Sequence, residues 1–259
     1  MTCQSATFSS SNFDPTISAL AHHRLQWELK HSRVLTFKSS MSINTAVATT
    51  LDEVLGGISV DRVRTTPPLG KATFADCISV NESSNQGLCE LVDGTLVGKA
   101  SSDRASVIAS AVLRNISTFV TQNHLGIVSG ANGFFQLSLS TRAPCVAFLS
   151  RDRLPDGKFP TQPYPTLAPN LVVEVLSPGN TRPEMARKRL EYFHNGVELV
   201  WIVDCVHRSV AVYQSTTDLT SDVRIVGEEE TIDGGSVLPG FTALVGDFFT
   251  DLDIGQPTL

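Results

Sequence analysis

An α/β fold with a mixed sheet is the class this sequence predicts, and three observations predict it. One long segment repeats its apolar residues at helical spacing, short apolar runs of strand length follow it, and a second capped helix interrupts those runs before they resume. The order helix, strands, helix, strands sets one helix before the central strands and one after them.

The elements follow in chain order. Residues 1–40 are rich in Ser, Thr and His and weakly patterned, so they read as an extension to a single domain over 41–259. Thr49 to Leu55 reads as a short helix stopped by Gly56-Gly57, and Arg62 to Gly70, with Pro67-Pro68, as a connector. Leu88 to Val97 places Asp93-Gly94 between two apolar runs, a strong hairpin signal. Ser101, Ser102 and Asp103 offer N-caps to a helix in which Ile108, Val112, Ile116, Phe119 and Val120 recur at helical spacing up to about Asn123. After Gly126 the period shortens. Ile127-Val128, the alternating Phe135, Leu137 and Leu139, then Cys145–Leu149 and Leu171–Leu176 read as three or four strands. Asn180-Thr181 with Pro183 and Glu184 starts a helix that Asn195-Gly196 stops. Leu199–Val203 and the alternating Val210 and Val212 give two more strands, and Leu244 to Leu252 a last amphipathic piece after turn residues.

Composition bounds the function. With 259 residues and 41% apolar content the chain can build a conventional core. No apolar run approaches the roughly 20 residues of a membrane span, and no basic-then-apolar leader opens the sequence. The five cysteines are odd in number and form no C-x-x-C pair, so neither a disulfide framework nor a zinc knuckle is indicated, and a reducing cytoplasm is expected. A net charge of −6 gives no global attraction to phosphate, so any nucleic-acid contact must come from a local basic patch.

The residue that most demands an explanation is Glu174, a lone carboxylate inside the apolar run Leu171–Leu176. A buried carboxylate needs a cation, a metal or a set of donors. It is read as a metal ligand, with a buried Arg or Lys partner as the other reading. Lys188 stands four residues after Glu184, a spacing that also suits a surface ion pair. Glu90 beside the Asp93-Gly94 turn could be a solvated hairpin carboxylate, Asp93 a turn former, and Cys145 a small core residue.

Five segments in order, Cys89–Gly94, Arg142–Phe148, Pro169–Pro178, Lys188–Tyr192 leading to Gly196-Val197, and Val200–Asp204, resemble the Uma2 family, also called DUF820, of restriction-endonuclease-like proteins in the PD-(D/E)XK nuclease superfamily. The resemblance implies an α-β-β-β-α-β core with a mixed central sheet flanked by helices. It also implies an Mg²⁺-dependent endonuclease, Mn²⁺ being an alternative ion, that hydrolyses phosphodiesters of nucleic acid, with DNA expected. Glu174, Glu90 and Lys188 would form the catalytic set, and Glu174, Glu90 and Asn170 the metal ligands. Arg182, Arg187 and Arg189 would meet the phosphates, and a homodimer stays open. Two departures weaken that set: Cys145 follows Pro144, and Asn170 follows Pro169, where the family has Asp. The family pattern therefore also admits a nuclease-fold protein that has lost catalysis and binds nucleic acid or a protein partner.

Overall fold

The computed structural model describes residues 55–83, 87–138, 140–161, 164–215 and 223–254, all within one compact unit of residues 49–259. The expected extension at 1–40, the short helix from Thr49 apart from Leu55, and the strand residue Leu139 lie outside the described residues.

Among the described residues three α-helices and twelve strands are formed. Helix α1 (Phe74–Glu82) precedes a hairpin of β1 (Cys89–Val92) and β2 (Thr95–Gly98), and α2 (Asp103–Gln122) follows. The hairpin turns at Asp93-Gly94, with φ of 45° and 66°. Both residues of such a two-residue turn need positive φ, which Asp tolerates and Gly adopts freely. The long helix begins where expected: Ser102 Oγ accepts from the Ala105 amide, and Ile108, Val112, Ile116 and Val120 line its buried stripe.

A six-stranded sheet carries the fold. Its members are β3 (Gly126–Ser129), β6 (Val146–Ser150), β7 (Leu171–Val175), β8 (Leu199–Asp204), β9 (Ser209–Gln214) and β10 (Arg224–Gly227), in spatial order β10-β9-β8-β7-β6-β3. Only β7 and β8 run parallel, joined across α3 (Arg182–His194). The sheet is therefore mixed, and α2 through β8 follow the expected α-β-β-β-α-β order with the small strands β4 (Phe135–Gln136) and β5 (Ser140–Arg142) inserted. Those two strands join the hairpin in a second sheet ordered β2-β1-β5-β4. The tail folds as β11 (Thr231–Gly234) paired with β12 (Leu238–Leu244), and the amphipathic piece after it becomes two 3₁₀ turns rather than a longer element.

Strand alternation divides the core. Leu171, Val173 and Val175 of β7 pack with α2, while Val172 faces the other side, with Met185 and Tyr192 of α3. Glu174 shares the parity of Val172, so the one charge in the strand faces α3.

Candidate active site

Three strands converge beneath α3. Strand β1 supplies Glu90, β5 supplies Arg142, β7 supplies Glu174, and α3 supplies Lys188 and Tyr192 one turn apart. Register explains the first pair: β1 and β5 are antiparallel with Leu91 opposite Thr141, which sets Glu90 beside Arg142. A Thr181 capping box fixes the start of α3. Its hydroxyl accepts from the Glu184 amide at 3.2 Å while Glu184 Oε2 accepts from the Thr181 amide at 3.4 Å.

All these side chains are buried, Glu90 fully and Lys188 to within 3%. Lys188 Nζ donates to Glu90 Oε1 at 3.0 Å and to Glu174 Oε1 at 3.3 Å, so one ammonium bridges both carboxylates. Arg142 Nη1 donates to Glu90 Oε2 at 2.9 Å, and the Ala143 amide to Glu90 Oε1 at 3.1 Å. Tyr192 Oη donates to Glu174 Oε1 at 2.7 Å. Arg142 Nε donates to Glu191 Oε2 at 2.7 Å, and Glu191 Oε1 in turn accepts from Arg187.

The charges sustain one another. Burial pushes the Glu90 carboxyl up, but the charges of Lys188 and Arg142 and the Ala143 amide outweigh it and hold the group down at about 2. Burial works to discharge Lys188, and the Glu174 and Glu90 carboxylates overcome it, so the ammonium is held more firmly than in water. Burial, then the Glu174 and Glu90 charges, push the Tyr192 phenol up, which keeps it a donor.

Cys145 completes the surroundings. Its Sγ accepts from the Val175 amide at 3.4 Å and lies 3.8 Å from Glu174 Oε2. Burial and then the Glu174 charge push its thiol up to about 11, so at neutral pH it is neither thiolate nucleophile nor anionic ligand. Cys145 also lines a groove of about 480 Å³ together with Arg64, Lys99, Ser102, Asn132 and Ser177. Lys99 Nζ donates to the Ala131 carbonyl at its rim.

The structure thus brings Glu90, Glu174 and Lys188 together and leaves the other expected residues elsewhere. Asn170 lies before β7, at the opposite end from Glu174, and four residues of strand separate the two by about 13 Å. Its Oδ1 accepts from the Ser150 amide and its Nδ2 donates to Glu198, both at 2.8 Å, so the amide braces strand ends instead of joining the carboxylates. The three arginines form no single phosphate-facing patch. Arg182 and Arg189 are seven residues apart and share a helix face, whereas Arg187 is turned about 140° from Arg182. Arg187 is paired with Asp93 and Glu191, and Arg189 lies over the Tyr213 ring at 4.1 Å. Lys188 does not make the surface pair with Glu184, which is buried and held by Arg62 at 2.8 Å. Sequence reasoning missed Arg142, Glu191 and Arg62. The signal for Arg142 was its place directly before Ala143-Pro144 and the apolar strand, but nothing there named its partner.

A hard divalent ion asks for several free oxygen donors. Both Glu90 oxygens and one Glu174 oxygen are already engaged, Glu174 Oε2 faces a protonated thiol, and thiol sulfur is a poor ligand for Mg²⁺. Among the described residues no group of three or more His, Cys, Asp or Glu is placed to hold a metal ion. The donor set does not fit Mg²⁺.

Comparison with known proteins gives the site a context. Residues 80–247 match the family model Uma2, described as "Putative restriction endonuclease". The crystal structure of a "putative nuclease belonging to DUF820" from Anabaena variabilis superimposes with a TM-score of 0.56 at 16% identity, covering 65% of this chain and 93% of that one. No curated protein matches the sequence.

Proposed function

The chain belongs to the Uma2 family, and from that premise we propose that it is a nuclease-fold protein that binds nucleic acid, DNA in the first instance, along the groove beside Cys145 without hydrolysing it. The observation that carries this reading is the thiol of Cys145 set 3.8 Å from Glu174 Oε2, where the family pattern places an aspartate. That aspartate would add the charge a divalent ion needs. In its absence Lys188 and Arg142 neutralise the remaining carboxylates, and the centre is an ion-pair core.

Phosphodiester hydrolysis needs a generated nucleophile and a cation for the developing phosphoryl charge. Here Lys188 is committed to two carboxylates, Cys145 stays protonated, and Glu90 and Arg142 are sealed from solvent. What remains open is the groove. Lys99 and the hydroxyl of Ser102 offer it phosphate contacts of the positioning kind.

Fluorescence anisotropy of labelled duplex and single-stranded DNA over a salt series tests this, run beside supercoiled plasmid with Mg²⁺ and Mn²⁺. The expectation is salt-dependent binding with intact plasmid, and for Lys99→Glu weaker binding with a salt slope reduced by about 1. Divalent-dependent cutting that Glu174→Ala abolishes would replace this reading with that of an Mg²⁺-dependent endonuclease working on a reduced ligand set.

A further inference from the structure

The six-stranded sheet ends in β10, whose one strand partner is β9. The last residue of β10 shows which way its backbone groups point. Gly227 donates its amide to Glu230 Oε2 at 2.7 Å and its carbonyl accepts from the Glu230 amide at 3.0 Å, so this residue faces away from β9. Residues of an antiparallel strand alternate in the side to which they direct both backbone groups. Arg224 and Val226 therefore bond to β9, and Ile225 turns its N–H and C=O outward. Among the described residues no other backbone group meets them. The open stretch stops at Glu228, whose carbonyl accepts from the Gly246 amide at 2.8 Å.

The side chains of this edge are apolar and uncovered. Ile225 is 57% exposed and Val223 41%. Register sets Ile225 opposite Ala211 and Val223 beside Tyr213, on the sheet face that α3 covers over β7 and β8. Proteins usually blunt such an edge with Lys, Pro or a bulge. Strand β10 carries none of these from Arg224 to Gly227. The opposite edge differs: β3 is half-buried along its whole length and packs against α2.

We propose that β10 pairs antiparallel with β10 of a second copy of this chain, about a two-fold axis at Ile225. Charge selects this register. With Ile225 opposite Ile225 of the second copy, the two residues exchange both backbone hydrogen bonds, and each Arg224 lies diagonal to the other copy's acidic run Glu228-Glu229. A register centred on Arg224 would instead set two guanidinium groups opposite each other. The present partner of Arg224 is Asp233, in an exposed pair at 2.8 Å that leaves the guanidinium free to share, and Glu229 is exposed. Residues opposite one another in an antiparallel pair project to the same face, so Val223, Ile225 and Tyr213 of both copies close into one apolar strip across the junction. The pairing is isologous and ends at two copies. The groove beside Cys145 takes no part in it, so this proposal and the nucleic-acid reading fail separately.

Sedimentation equilibrium of the purified full chain at tens of micromolar tests the pairing, on wild type, Ile225→Lys, Arg224→Glu and a control, Val206→Lys, at a turn residue 84% exposed. The expected result is twice the chain mass for wild type and the control, the single-chain mass for Ile225→Lys, and a weaker dimer for Arg224→Glu. Because Ile225 is exposed, its variant should keep the wild-type melting profile of a folded chain. If it does not fold, hydrogen exchange of the wild type decides: the Ile225 amide should be protected when concentrated and exchange faster on dilution. Wild type at single-chain mass, an assembly larger than two, a dimer that Ile225→Lys or Arg224→Glu leaves as tight, or an Ile225 amide whose exchange ignores concentration overturns the proposal.

Discussion

Lys188 holds two carboxylates that would otherwise repel each other in a dry interior, at 3.0 and 3.3 Å. Removing one partner of a buried ionic group is far more damaging than replacing the whole group, because it strands charge. Lys188→Met should therefore lower stability by about 3–5 kcal/mol, read as a shift in the urea midpoint. A loss under about 1 kcal/mol, typical of a surface pair, would show that the ammonium is not what balances Glu90 and Glu174. Glu90 adds a pH signature. Its folded pKa is depressed from an ordinary 4.5 to about 2, so its stabilising contribution is complete above pH 4.5 and disappears as pH falls toward 2. The stability gap between wild type and Glu90→Gln should be constant from pH 7 to 5 and shrink between pH 4.5 and 2. A gap that does not change across that window would contradict the assignment. Glu90, Glu174 and Lys188 were legible in the sequence because each is a charge in an apolar pattern or a matched motif. Arg142 was not, since its partner Glu90 lies 52 positions away and only strand register joins them. Asn170 was read from its place after Pro169 in the family pattern, and the extended strand β7 sets it apart from Glu174.

Helix α3 positions the centre, and its N-terminus is fixed by a segment from the start of the described chain. Thr181 Oγ1 donates to the Gly57 carbonyl at 2.5 Å, and Arg62 donates to both Glu184 oxygens at 2.8 Å as well as to the Gly98 and Gly179 carbonyls. Gly57, at φ +84°, lies so close to Pro183 that a Cβ would meet the ring at 2.7 Å. Arg62→Ala would leave the buried Glu184 carboxylate without its cation and should cost on the order of 3 kcal/mol. Hydrogen exchange should show the loss as faster exchange of the first turn of α3, while unchanged protection there would refute the role given to Arg62. The two long helices and the main strands were readable because their periodicity and caps agree. Helix α1 was not, because a nine-residue element burying one side chain leaves no stripe to read, although its Thr73–Asp76 capping box was present in the sequence. Strands β5 and β10 escaped because Ser140-Thr141-Arg142 has no apolar residue and Arg224–Gly227 has only the adjacent pair Ile225-Val226, so neither shows an alternation.

At the scale of the molecule, a mixed sheet with α2 on one face and α3 on the other reproduces the Uma2 core, and the resemblance read from five short segments is matched by the family model over residues 80–247. The fold was legible because order, spacing and caps all point one way. The state of the centre was legible only in part, as Cys145 where Asp is usual; the closure of the ion-pair network needed coordinates. The framework that would hold a metal is nevertheless in place, with Glu174 Oε2 still facing position 145. Binding of an ion to the folded state alone raises stability by about 2.7 kcal/mol at a hundredfold excess over Kd, so melting temperature reports it directly. The decisive measurement is the melting temperature of wild type, Cys145→Asp and Cys145→Asp/Glu174→Ala with and without millimolar Mg²⁺ or Mn²⁺. The account predicts no metal-dependent shift for wild type, a rise of several degrees for Cys145→Asp, and its loss when Glu174 is also removed. A rise in the wild type that disappears in Glu174→Ala would contradict it, since the centre would then hold a metal with the thiol in place.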